Sequence, residues 1–116
     1  MDIRLQEALD FSNYRLTLAT QLQNLKIKLA SDLLVTHANG IFTASMSNIN
    51  LVGTLMEQHT NFYVIDDNGT PILIPNLKDF RKLLFDTYSK ATIAYAEEYN
   101  KLVKSRNIKK IVDYDE

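Results

Sequence analysis

Apolar side chains near the start of the chain recur at helical spacing. Phe11, Leu18 and Leu25 fall seven apart, and Leu22 and Leu29 follow two of them by four. That spacing lays one apolar stripe along a helix. Thr17, Gln21, Gln23, Lys26 and Lys28 fill much of the remaining circumference. A helix is therefore predicted from about Ile3 to Ala30, with Asp10 in "LDFSN" placed either to interrupt it or to cap a restart.

Past this helix the period drops to two. "LLVTHANGIFTA" sets Asn39-Gly40 between β-prone runs, the signal for a type I′ hairpin turn, which needs positive φ at two consecutive residues. Ser45 or Ser47 is placed to cap a short helix through "NINLVGTLMEQH", where Ile49, Leu51, Val52, Leu55 and Met56 are apolar. "FYVIDDNGTPILIPNLKDF" then predicts a second hairpin. With Asn68-Gly69 as a two-residue loop, Asp67 pairs with Thr70 and Asp66 with Pro71. The pair beside such a loop is hydrogen-bonded and the next is not, so Pro71 needs no N–H toward its partner and marks an edge strand. This register puts Phe62, Val64 and Leu73 on one face and Tyr63, Ile65, Ile72 and Ile74 on the other. A hairpin apolar on both faces is either enclosed between two helical layers or carries a contact surface.

Beyond Pro75, Asn76 is a good N-cap, with Asp79 at the N3 position. Leu77, Leu84 and Ala91 repeat at seven, as do Tyr88, Tyr95 and Leu102, and no Gly or Pro intervenes. A helix to about Ser105 would be ~43 Å long, whereas a compact chain of this size is ~35 Å across. It is expected to overhang, covered in part by the first helix and in part by a second subunit. The fold class is thus α+β in the order α-β-β-α-β-β-α: a long N-terminal helix, two Asn-Gly hairpins separated by a short helix, and a long C-terminal helix, the two long helices packed antiparallel. Residues 1–106 are expected to form a single domain. After Asn107, residues 107–116 are expected to form a loosely held tail.

Composition narrows the function classes. The 116 residues are 46% hydrophobic and 23% charged, ordinary for one globular domain. A net charge of -1 points to no strongly charged partner. The chain has no cysteine, which excludes disulfides and thiolate metal sites. "MDIRLQEALDF" lacks the apolar core of a secretory signal, and no run approaches the ~20 apolar residues that span a bilayer. Residues 33–56 contain no Asp, Glu, Lys or Arg. Such a stretch reads as interior, or as surface meant for a partner.

Candidate chemistry is sparse. His37 and His59 are the only histidines, and a metal site would need both plus a carboxylate such as Asp66. Their positions beside a turn and after a helix suit structural roles better. Asp66 and Asp67 beside Asn68-Gly69 resemble a fragment of a calcium loop without its closing Glu, and turn chemistry is the stronger reading. Glycine-rich phosphate loops and nucleophile elbows are absent. No catalytic, cofactor-binding or metal residues are therefore assigned. Lys101, Lys104, Arg106, Lys109 and Lys110 form a basic run that complements a helix C-terminus or meets phosphates. Tyr88, Tyr95 and Tyr99 lie at spacings of seven and four, as a core seam or as interface anchors. The candidate interface comprises these tyrosines with Phe62, Tyr63, Ile65, Ile72 and Ile74.

The order of elements resembles a small uncharacterised domain of tailed bacteriophages, found in tail-fibre and tail-fibre-assembly proteins. The likeness rests on "LLVTHANGIFTAS", on "NFYVIDDNGTPILIPNLKDFRKLL" and on the helix through "AYAEEYNKL", and covers roughly residues 24–103. That domain often has a Trp in its aromatic strand, where this chain has Phe62 and Tyr63. The resemblance implies a non-enzymatic virion or assembly protein without cofactors, located in the virion or the host cytoplasm. Its partners would be further copies of itself or other virion and assembly proteins, not nucleic acid or membrane. The alternative is a small phage effector that binds a host factor or nucleic acid through the basic run.

Overall fold

The apolar stripe and the absence of Gly or Pro carry the first helix, α1, without a break from Ile3 to Asp32. In the computed structural model the backbone is described for residues 3–115 and the side chains for residues 3–104. Strands β1 (Leu34–His37) and β2 (Gly40–Thr43), helix α2 (Met46–Met56), strands β3 (Phe62–Ile65) and β4 (Pro71–Ile74), and helix α3 (Leu77–Asp115) follow. The fold is α+β in the expected order, with α1 and α3 packed antiparallel. Helix α3 runs on past Asn107, the stop expected from the sequence. Asn inside a helix costs under ~1 kcal/mol relative to Ala, and no Gly or Pro follows it. The side chains of the expected tail lie outside the described residues.

The chain divides into two compact units, one formed by residues 1–28 with 95–116, the other by residues 29–94. In the first, α1 contributes no buried side chain. Its predicted stripe is half-buried at Leu18, Leu22 and Leu25, while Phe11 is exposed. Tyr95 and Tyr99 stack with ring centroids 6.0 Å apart.

In the second unit, β1 and β2 form one two-stranded antiparallel sheet and β3 and β4 another. Such hairpins are marginal alone, and here both lean on helices. Phe42, Ile49, Val52, Ile74, Leu77, Phe80 and Leu84 are fully buried together. Helix α2 begins where Ser45 Oγ accepts the N–H of Asn48 at 3.1 Å, and α3 where Asn76 Oδ1 accepts that of Asp79 at 3.2 Å. Each cap satisfies a donor that the first helical turn leaves open.

The first turn is displaced by one residue from Asn39-Gly40. His37 pairs with Gly40, and the two loop residues are Ala38 (φ 51°) and Asn39 (φ 69°). A left-handed Ala costs roughly 1–2 kcal/mol, so Gly40 must serve another need. A Cβ there would lie 2.7 Å from Ile72 Cγ1 and 2.9 Å from the Phe42 ring. Glycine is required for close packing of the two hairpins, and the turn accepts Ala38 instead. The inward set is unaffected, because Val35 and Phe42 stay on one buried face.

The second hairpin departs further. Ile65 pairs with Pro71, Val64 with Ile72, Tyr63 with Leu73 and Phe62 with Ile74. The loop is Asp67-Asn68-Gly69. Gly69 N–H donates to Asp66 O at 3.0 Å, Asp66 N–H to Thr70 O at 2.9 Å, and Gly69 adopts φ 78°. This is the three-residue loop that ends in a left-handed glycine. It slips the predicted pairing by one residue, and with period two that moves β4 to the opposite face.

Candidate functional site

Asp66 explains the slip. Its Oδ1 accepts the N–H groups of Asn68 at 3.0 Å and Thr70 at 2.8 Å, closing the turn through its own side chain. Its Oδ2 accepts the N–H of Ile41 on β2 at 3.2 Å. Asp67 completes the link, its N–H donating to Ile41 O at 2.8 Å and its Oδ2 accepting from Thr43 Oγ1 at 2.7 Å. Two adjacent carboxylates thus join the separate sheets along the outer edge of β2. The Asp-Asp-Asn-Gly stretch that looked like a calcium-loop fragment is turn chemistry with a tertiary role. Among the described residues no group of three or more His, Asp or Glu is arranged to hold a metal.

The carboxyl of Asp66 is held below its ordinary pKa chiefly by the Thr70 N–H; burial opposes this, and the N–H groups of Ile41 and Asn68 add to the lowering. A depressed carboxylate stabilises the fold above its unfolded pKa, and that contribution is lost as pH falls through the folded value. Asp66→Asn keeps one acceptor for the turn but sets an amide donor against the Ile41 N–H. It is expected to lower the melting temperature by several degrees at pH 7. The gap to wild type should then begin to narrow as pH falls below about 4, the ordinary carboxylate value, and go on narrowing as pH falls through the lower native value at which Asp66 itself is protonated. Thermal unfolding followed by circular dichroism from pH 7 to pH 2 checks this, and a gap independent of pH would contradict it.

The register sorts the predicted interface residues. Tyr63 (58% exposed) and Ile65 (69%) stand on an outer face, joined by Leu73 (51%). Ile74 is fully buried and Ile72 is half-buried against the same core, so both leave the surface to which the two-residue loop had assigned them. Phe62 lies flat on His59, with centroids 4.3 Å apart and planes at 17°. His37 stacks on Phe80 at 5.0 Å. Both histidines are therefore ring-packed structural residues.

Tyr88 packs half-buried against the core of the second unit, whereas Tyr95 and Tyr99 belong to the first. Of the basic run, Lys101 pairs with Glu98 at 3.1 Å on the exposed face of α3, and Lys104 is exposed. The side chains of Arg106, Lys109 and Lys110 lie outside the described residues. A second apolar row on α1 escaped the sequence reading. Leu5, Leu9, Leu16 and Ile27 are exposed, and at 100° per residue they fall opposite the half-buried stripe. Their spacings of four, seven and eleven were the available signal.

Two of the shallow grooves among the described residues lie on the second unit. One of about 440 Å³ is lined by Asn50, Gly53, Thr54, Met56, Glu57 and Arg81, where the absent Gly53 Cβ makes room for the Arg81 side chain. The other is lined by Asp32, Thr87, Lys90, Ala91 and Ala94. Neither gathers a nucleophile, a base and an oxyanion donor. No helix among the described residues is long and apolar enough to cross a membrane. Comparison with protein-family models, with curated proteins and with solved structures gave no match to this chain.

Proposed function

We propose that this protein is a non-enzymatic bacteriophage structural or assembly protein, a tail- or tail-fibre-associated module that acts through protein–protein contacts. The observation that carries the contact reading is the outer face of β3–β4, where Tyr63, Ile65 and Leu73 are exposed on a two-stranded sheet. Large apolar side chains gathered on one face of an edge hairpin favour association. The exposed row on α1 supports the same reading. Its viral part rests on the resemblance of the element order to the phage tail domain.

Mass spectrometry of purified virions is expected to find this chain at a constant ratio to known tail proteins. Absence from both virions and tail-assembly intermediates would overturn the proposal. The alternative, a phage effector acting through the basic run, predicts salt-sensitive binding to a host factor or nucleic acid that Lys101→Glu with Lys104→Glu abolishes. The Lys101–Glu98 pair favours an ordinary solvated helix face instead, so the double charge reversal is expected to leave virion incorporation unchanged.

A further inference from the structure

The edge of β3 is open over a short, defined length. Asp66 N–H donates to Thr70 O, and inter-strand bonds alternate along an antiparallel pair. The Val64–Ile72 and Phe62–Ile74 pairs are therefore the bonded ones, and Tyr63 and Ile65 turn their N–H and C=O groups away from β4. Among the described residues nothing accepts from either N–H. At the Asp66–Asp67 end the open length is bounded by the chain itself. Asp67 N–H, the next outward donor, is taken by Ile41 O. The opposite edge, β4, is blunted. Pro71 has no N–H, which leaves Leu73 as the single outward donor of that strand.

The geometry points to a second copy of this chain as the occupant of the β3 edge, added antiparallel across a two-fold axis at Val64. Two open residues flank that axis, so one symmetric register satisfies both. Tyr63 exchanges two hydrogen bonds with Ile65 of the other copy, and Ile65 exchanges two with Tyr63. The outer faces then join, and each tyrosine ring meets a β-branched side chain directly across the strands. Charge decides the direction. "FYVI" is uncharged and followed by Asp66 and Asp67, so a parallel pair would bring acids together, whereas the antiparallel pair sets Asp66 opposite Phe62. Nothing on this strand acts as a guard, since it carries no Lys, Pro or bulge. Four residues per copy make a small contact by the standard of stable dimers. The dimer therefore forms reversibly as concentration rises.

This inference names the partner of the contact surface proposed above, and its test is separate from the virion test. Tyr63 and Leu73 are cross-strand neighbours, each with its N–H outward, so proline at either position spares the bonds inside the hairpin. Sedimentation of the full chain from low to high micromolar concentration is expected to show a monomer–dimer equilibrium. Tyr63→Pro should raise the half-dimerisation concentration by at least about tenfold, because each dimer loses two symmetric bonds, while Leu73→Pro leaves it unchanged. Should Tyr63→Pro fail to fold by circular dichroism, hydrogen exchange of the wild type decides. The amides of Tyr63 and Ile65 become protected as concentration rises, and that of Leu73 does not. A chain monomeric throughout, a dimer indifferent to Tyr63→Pro, or concentration-independent exchange at both amides overturns the inference. Each of these leaves the virion result to judge the wider reading.

Discussion

Ile74→Lys is expected to unfold the protein, whereas Leu73→Lys, one residue earlier, should change stability by no more than about 0.5 kcal/mol. Ile74 is fully buried beside Leu77, Phe80 and Leu84. Lysine there would lose the packing of the isoleucine and leave an ammonium without an opposite charge in the core. Losses of this kind exceed about 4 kcal/mol, most of the ~5–15 kcal/mol that holds an ordinary domain together. Leu73 points outward with Tyr63 and Ile65, where an ammonium stays hydrated. Urea titrations of both variants read the difference directly. A two-residue loop at Asn68-Gly69 would reverse it, placing Leu73 with Val64 on the inner face. The pair of substitutions therefore measures register as well as stability.

Phe80→Ala is expected to cost about 3–5 kcal/mol. The ring is fully buried, with His37 stacked against it at 5.0 Å and Phe42 meeting it edge-on at 4.8 Å. These contacts tie the first hairpin to α3. Deleting the ring leaves a cavity between elements that are too weak to stand alone. The urea midpoint should fall sharply, and the first-hairpin amides should lose hydrogen-exchange protection at least as strongly as those of α3. A loss below about 1 kcal/mol would show that neighbouring side chains collapse into the space and that the aromatic cluster is not central to the core. Phe80→Leu, which restores most of the volume, should recover a large part of the loss.

Period and caps were sufficient to read the order of elements. Seven-residue repeats mark both long helices, Ser45 and Asn76 mark two helix starts, and Asn-Gly pairs mark two hairpins. These signals are local, so sequence neighbours carry them. The same letters misplace both turns, because each Asn-Gly answers to contacts far along the chain. Gly40 is spent on the close approach of Ile72 rather than on positive φ. At the second hairpin, Asp66 accepts from Asn68 and Thr70 and reaches Ile41, which favours a three-residue loop. One extra loop residue exchanges the faces of β4, sending Ile74 inward and Leu73 outward. That β3 and β4 are apolar on both faces was legible from alternation alone. Which face is covered depends on register, and register follows from hydrogen bonds between the two hairpins, such as the one from Ile41 to Asp66, 25 residues apart in sequence.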